Sequence, residues 1–498
     1  MPGTGSTRRL LVGLAAFALL AGCGGTATPV PPVTPTATVG PTAPLAATAP
    51  AASTAPVTQP PASPSPAAIA TPSAVKPTAA PLKIVGSTVQ VPKPGGTDDT
   101  ATIQAALDAC VKHGAGCVVS LEAGTYRTSQ LVAYDFRGTF KGAGADRTII
   151  EAVPDLPVDV PDFMVAGECM PNLTDCVWPS LMLFVDGAIS ISDLAIHVTA
   201  TDGHATVPWT IGGSSITSLV DALRFMGQRP TDVAVERVAI VGRHDTAATS
   251  FDGFNVINGI LFAGELPRSS TMFDYYMLGG AFAVRSSSFT TLDAGVGVDG
   301  FLAGVKGTIG GSKSAGNEFT DVNTGISLMP AQASVFDVSF NTSSSNTNDL
   351  YMGPWVPDFV PASASKYAIH DNTFGAAGIL LEDDTAHHWI GATITHNTVT
   401  VRAPHTEGIR VRNTIGTTIS GNTVTGTAAH TAIGLYGVTN GSVTGNAVSK
   451  FMLDANGGSA QIYLDAASAK DHVACSSPSD TVLDQGTGNA VTGCKVSH

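Results

Sequence analysis

Four short segments decide the fold: Asp371-Asn-Thr-Phe374, His396-Asn-Thr-Val399, Gly421-Asn-Thr-Val424 and Gly445-Asn-Ala-Val448. Their asparagines, Asn372, Asn397, Asn422 and Asn446, stand 25, 25 and 24 residues apart. A second motif repeats in phase with them: Gly325-Ile-Ser-Leu328, Gly378-Ile-Leu-Leu381, Gly408-Ile-Arg-Val411 and Ala432-Ile-Gly-Leu435. Weaker copies of the first motif occur at Asn317-Glu-Phe319 and Val338-Ser-Phe340. Short alternating strands joined by Gly and Asn turns, with a coil of roughly 21 to 30 residues, describe an all-β solenoid of the parallel β-helix type. Each inward side chain then stacks on its equivalent one coil away, which suits Ile, Val and Leu. Asparagines at the turns are expected to form hydrogen-bonded ladders and to tolerate left-handed backbone, so their repetition is structural.

The same register points to a surface. Taking the inward Ile or Leu as reference, the residues one and three positions later face outward. Coil by coil the first set is Ser327, Tyr351, Leu380, Arg410, Gly434 and Tyr463, and the second is Met329, Gly353, Glu382, Arg412, Tyr436 and Asp465. Neighbouring strands lie about 4.8 Å apart, so these residues form one exposed stripe of Tyr, Arg and carboxylate. Aromatic faces suit sugar rings, and arginines and acids suit hydroxyls or uronates.

The densest cluster on the stripe is Glu382-Asp-Asp-Thr-Ala-His-His-Trp389. Glu382 and Asp384 project from one face of an extended strand with roughly 7 Å between Cα atoms. That suits an inverting glycosidase pair, whose carboxyls stand about 6.5–9.5 Å apart. Glu382 is expected to be the acid, because a like charge beside it raises a carboxylate pKa. Asp384 is then the base, with Arg410 and Arg412 orienting substrate. Trp355, in the Pro-stiffened Gly353-Pro-Trp-Val-Pro357, is expected to wall the groove. Tyr351, Tyr436, Tyr463 and Asp465 complete the substrate-binding set.

Composition bounds the function. The chain has 498 residues with 25 Lys+Arg against 39 Asp+Glu, a net charge of -14. Charged residues are 13% and hydrophobic residues 43%, which excludes a highly charged disordered chain and a coiled coil. The acidic balance excludes nucleic acid as a partner, since phosphate neutralisation needs clustered Lys and Arg. It also disfavours a strongly anionic glycan unless Ca²⁺ bridges the charges, so Ca²⁺ is the one cofactor kept open. A monomer is expected.

The first 82 residues stand apart. Arg8 and Arg9 precede an apolar run, Leu10 to Ala21, too short to span a bilayer and typical of an export signal. The run ends in Leu20-Ala21-Gly22-Cys23, which resembles the lipobox of bacterial lipoproteins. That resemblance implies a signal peptide at 1–22, lipidation of Cys23, and a membrane anchor on the extracytoplasmic side of a bacterial cell envelope. Residues 23–82, rich in Pro, Ala and Thr, are expected to be a disordered tether. Residues 83–498 form the folded domain. Six further cysteines fall into three local pairs, each bracketing a short loop: Cys110/Cys117, Cys169/Cys176 and Cys475/Cys494. In an exported protein these are expected to be disulfides.

The start of the domain carries a family signal. Thr97-Asp-Asp-Thr100 precedes Ile103, Ala106, Leu107 and Cys110, an apolar stripe at helical spacing ended by Gly114, which predicts an N-capped helix. Cys117-Val-Val-Ser-Leu121, Ala123-Gly-Thr-Tyr126, Lys141-Gly-Ala-Gly144 and Thr148-Ile-Ile150 follow. This ordered set resembles the entry module of the pectate-lyase-like (pectin-lyase fold) superfamily. The resemblance implies a right-handed parallel β-helix whose open first coil is capped by that helix; the hand also follows the general preference of parallel crossovers. Asp383-Asp384 and Gly408-Ile-Arg-Val-Arg412 resemble two elements of the polygalacturonase-type hydrolases. Their GHG element is missing, Asn323-Thr-Gly325 lacks the Asp of their NTD element, and the DPHE element of alginate epimerases is also missing. The expected function is a glycoside hydrolase or polysaccharide lyase acting on an extracellular polysaccharide in a groove along the solenoid. The alternative is a surface lipoprotein that binds glycans without cleaving them.

Overall fold

The structure, a computed structural model, describes residues 80–153, 180–199, 208–211, 214–217, 221–227, 230–244, 253–264, 280–298, 304–329, 334–353, 366–382, 389–402, 405, 407–426, 431–449, 451 and 461–498. All fall in one unit, 77–498. The expected signal at 1–22 and nearly all of the expected tether, with Cys23, lie outside the described residues, as do Cys169, Cys176, Trp355 and Asp384.

Among the described residues the strands pair in parallel almost throughout, each with its equivalent one coil away. They form three stacks. The first runs through Leu223, Ile260, Val296, Ile326, Leu350, Ile379, Ile409, Ile433, Ile462 and Val482, each the Cα partner of the next. The second passes through Val284, Ile309, Val338, Ile369, Ile394, Ile419, Val443 and Val473. The third passes through Phe289, Phe319, Ser343, Phe374, Val399, Val424 and Val448. One long strand, Ser180–His197, turns through all three, bending at Asp186 (φ 56°) and Asp193 (φ 60°). This is a parallel β-helix.

The interior follows from the stacking. The apolar columns are buried along the whole solenoid. The rings of Phe184, Phe225, Phe262 and Phe282 stack in sequence with centroids 5.8, 5.3 and 3.9 Å apart. At the turn between the second and third stacks the expected ladder is present, and it is longer than the sequence motif. Asn317, Asn341, Asn372, Asn397, Asn422 and Asn446 are linked by Nδ2 donating to the next Oδ1 at 2.9–3.0 Å. Each Nδ2 also donates to a main-chain carbonyl at 2.8–2.9 Å. The left-handed backbone falls on the residue before five of the six ladder asparagines, not on the asparagine: Phe340, Asp371, His396, Gly421 and Gly445 have φ between 55° and 65°.

Helix α1, Thr100–His113, buries Ile103, Ala106, Leu107 and Cys110 in the main core and packs on the strands Thr88–Val91, Cys117–Leu121 and Leu131–Lys141. The expected side-chain cap at its start does not form. The Asp99 carboxylate accepts from the amides of Gly95 and Arg127 instead, so it ties the helix entry to the first coil. Cys110–Cys117 joins α1 to the next strand, and Cys475–Cys494 joins the last coils, with Cα atoms 5.4 and 5.5 Å apart.

Candidate functional site

The outward positions of the first stack line up as the alternation predicts. Ser327, Tyr351, Leu380, Arg410, Gly434 and Tyr463 are Cα partners in succession. Glu382, Arg412 and Tyr436 form the neighbouring column. Asp465 continues it one coil on, its N–H donating to the carbonyl of Leu435. The solenoid therefore brings together side chains that are distant in sequence.

Their contacts form one network. Glu382 Oε1 lies 3.4 Å from Arg412 Nη1 and 3.7 Å from Arg410 Nη2. Arg410 Nε lies 3.4 Å from Glu407 Oε2. The Tyr436 hydroxyl donates to Glu407 Oε1, and its ring faces both guanidiniums, with Cζ of Arg410 and Arg412 at 5.2 and 5.9 Å from the centroid. Tyr463 packs against Tyr436 at 5.4 Å, and its hydroxyl donates to Gln485 at 3.0 Å. The charged groups remain accessible: the side chains of Arg412, Arg410 and Glu382 are 40%, 31% and 26% exposed. This is a wetted face with a built electrostatic pattern.

The phenols are tuned by their surroundings. Burial and the Glu382 carboxylate push Tyr351 up to about 12. Burial, then the hydrogen bond to Glu407, raises Tyr436. Tyr463 is also raised, first by burial. All three therefore stay neutral hydroxyls at physiological pH, fit to donate or accept hydrogen bonds at a sugar. The Asp465 carboxylate is occupied by its own turn and the preceding coil: Oδ1 accepts from the amides of Ala467 and Ser468, from the Ser468 hydroxyl and from the amide of Gly437 one coil back. Among the described residues no group of three or more His, Cys, Asp or Glu side chains is placed to hold a metal ion.

Two residues escape the sequence pattern. Strict alternation from Ile409 turns Glu407 inward. In the structure a Cβ on Gly408 would meet Val424 at 2.5 Å and Val401 at 3.2 Å, so Gly408 faces the core beside Ile409 and the alternation slips. Glu407 is thereby returned to the surface network. Gly434 leaves the gap in which Tyr436 and Glu407 meet, since a Cβ there would stand 2.7 Å from Tyr436 Cε2 and 3.0 Å from Glu407 Oε1. The glycine was the visible signal: a missing side chain between the bulky Arg410 and Tyr463 of the column.

No protein-family model matches the chain, and no curated protein is significantly similar to it in sequence. Among solved structures, the mannuronan C-5 epimerase AlgE6 A-module of Azotobacter vinelandii matches 81% of this chain and 97% of its own, with a TM-score of 0.50 and 16% identity. A polygalacturonase from Erwinia carotovora matches 82% of this chain and 96% of its own, with a TM-score of 0.35 and 10% identity. The periplasmic alginate epimerase AlgG matches 84% and 80%, with a TM-score of 0.33 and 10% identity. The first likeness, with the strand pairing above, shows that this chain and the epimerase module share the parallel β-helix fold.

Proposed function

We propose that this protein is a surface-anchored, carbohydrate-active protein that holds an extracellular polysaccharide on the outward face of the first stack and cleaves it by hydrolysis or elimination. The observation that carries the reading is the Glu382–Arg410–Arg412–Glu407–Tyr436 network. It presents two guanidiniums, two carboxylates and an aromatic face on successive coils of one accessible surface. Arginine forks bind vicinal hydroxyls or a uronate, and tyrosine faces stack on sugar rings. Glu382, as acid, and Asp384, as base, are the proposed pair at the scissile bond, with Arg410 and Arg412 orienting the sugar. The named activities of the structural neighbours, on mannuronan and polygalacturonate, fit a polysaccharide substrate. The solenoid is read as right-handed, with α1 closing its first coil.

A binding-only role has its own support: Glu382 and Glu407, the carboxylates of the network, are both already paired with arginine. The location is proposed as the extracytoplasmic side of a bacterial envelope, anchored through a lipid on Cys23. Arg8, Arg9, the short apolar run and Cys23 support it, as do the two disulfides.

The test is the purified protein on a panel of neutral and uronate polysaccharides that includes polygalacturonate and mannuronan. New reducing ends without unsaturation indicate hydrolysis, unsaturated products indicate elimination, and retention without products indicates binding. The absence of both retention and products on every member overturns the proposal.

A further inference from the structure

Both guanidiniums of the Tyr, Arg and Glu network are already engaged by carboxylates. Arg410 stands between two of them, with Nε 3.4 Å from Glu407 Oε2 and Nη2 3.7 Å from Glu382 Oε1. Arg412 Nη1 lies 3.4 Å from the same Glu382 oxygen. The architecture fixes these partners in place. Glu382 is the Cα partner of Arg412 one coil away, and Glu407 lies on the same strand as Arg410, Glu407–Arg412. With Asp465 one coil beyond Tyr436, the described part of the face sets three carboxylates against two guanidiniums. The surrounding chain has the same sign: from Tyr351 to Asp465 the sequence holds eight Asp and Glu against five Lys and Arg.

That pattern discriminates between two kinds of sugar. A uronate brings a carboxylate of its own. To be held by Arg410 or Arg412 it must displace Glu382 or Glu407, or stand beside them as a further like charge, and like charges at such distances repel. A hydroxyl meets no such obstacle. Guanidinium N–H groups only donate and ionised carboxylate oxygens only accept, so each Arg–Glu pair presents a donor next to an acceptor. Two neighbouring hydroxyls of one sugar complement the pair, one accepting from arginine and the other donating to glutamate, with no change in charge. The rings of Tyr436 and Tyr463, 5.4 Å apart, add apolar surface for the C–H face of that sugar.

We infer that the glycan recognised by this network is uncharged and is read through pairs of neighbouring hydroxyls, and that the paired glutamates exclude uronate polymers. This rests on the functional reading above and names its substrate class. Glu382 and Glu407 then have two effects at once. They accept from sugar hydroxyls, and they withhold Arg410 and Arg412 from other anions.

The test uses the full-length protein and matched polymers: polygalacturonate with its carboxyl-reduced galactan, mannuronan with its carboxyl-reduced mannan, and a neutral glucan and xylan. Each is titrated by calorimetry in chelator and again in Ca²⁺, at low and at high ionic strength. The tightest ligand is expected to be neutral, to bind about tenfold or more tighter than either uronate polymer in both cation conditions, and to keep its affinity as salt rises. A uronate polymer that binds as tightly as the best neutral one, with or without Ca²⁺, overturns the inference and leaves the functional reading standing. No binding by any polymer removes both. The double variant Glu382→Gln/Glu407→Gln releases both guanidiniums, and its affinity for polygalacturonate is expected to rise about tenfold or more. No gain in that variant, with circular dichroism unchanged, overturns the exclusion assigned to the paired glutamates.

Discussion

Glu382 and Arg412 occupy the same lateral position on successive coils, with Glu382 Oε1 3.4 Å from Arg412 Nη1. The pair is partly exposed, and pairs of that kind contribute at most about 1 kcal/mol to stability. Its place in the molecule is therefore explained by what it presents. Glu382→Gln is expected to shift the melting temperature by less than about 2 °C and to lower product formation by about 10²-fold or more. Full activity in this folded variant, measured on the panel substrate, would place the chemistry elsewhere on the face.

Tyr436 supplies both a hydroxyl and a ring. Tyr436→Phe keeps the ring against Arg410 and Arg412 and removes the hydrogen bond to Glu407. Tyr436→Ala removes both. Glycan affinity is expected to fall less than about threefold in the first variant and about fivefold in the second, since an aromatic contact is worth roughly 1 kcal/mol. Equal losses in calorimetry would show that the hydroxyl, and not the ring, carries the interaction.

Gly434→Val fills the gap between Tyr436 and Glu407. The ring must move aside, so affinity is expected to drop at least as far as in Tyr436→Ala while circular dichroism stays unchanged. Wild-type affinity in the valine variant would mean the gap plays no part in shaping the face.

Asn397 Nδ2 donates to Ile369 O, Thr395 O and Asn422 Oδ1, and its Oδ1 accepts from the amide and Nδ2 of Asn372. Asn397→Ala strands several buried partners at once and is expected to cost about 2–4 kcal/mol. Thr423→Ala, on the exposed side of the equivalent turn one coil on, is expected to cost under about 0.5 kcal/mol. Urea unfolding midpoints compare the two.

Asp471 is 1% exposed, and burial pushes its carboxyl up to about 6. Its Oδ1 accepts from the Gly441 amide at 2.6 Å, whereas Oδ2 makes no hydrogen bond. The unfolded chain releases this proton near pH 4, so the folded state holds it more tightly. Stability is therefore lost as pH rises from about 4 through 6 and stays lower above that. Asp471→Asn is expected to stabilise the protein by about 2 kcal/mol at pH 8 and by little at pH 4. A gain of equal size at both values would exclude titration of this group as the cause.

The coil period, the ladder asparagines, helix α1 and the main outward columns were legible in the sequence, because a solenoid repeats a local rule. Asn372, Asn397, Asn422 and Asn446 recur at nearly constant spacing, and alternation along each short strand separates Ile409 from Arg410. Asn341 was missed because the motif around it, Val338-Ser-Phe340, is degenerate. The expected side-chain cap on α1 is absent because the Asp99 carboxylate accepts from the Arg127 amide, which is distant in sequence.

The sequence alone determined a parallel solenoid, its phase, and a stripe of Tyr, Arg and Glu on one side, since each depends on residues within about one coil of one another. The tertiary structure decided the rest. Glu407 joined the site because Gly408 packs between Val401 and Val424, a contact across the interior that no alternation rule contains. Arg410 is accessible and Arg224 is buried, although both are outward arginines in one column. Register is set by neighbouring strands, whereas exposure is set by how the whole chain packs around them.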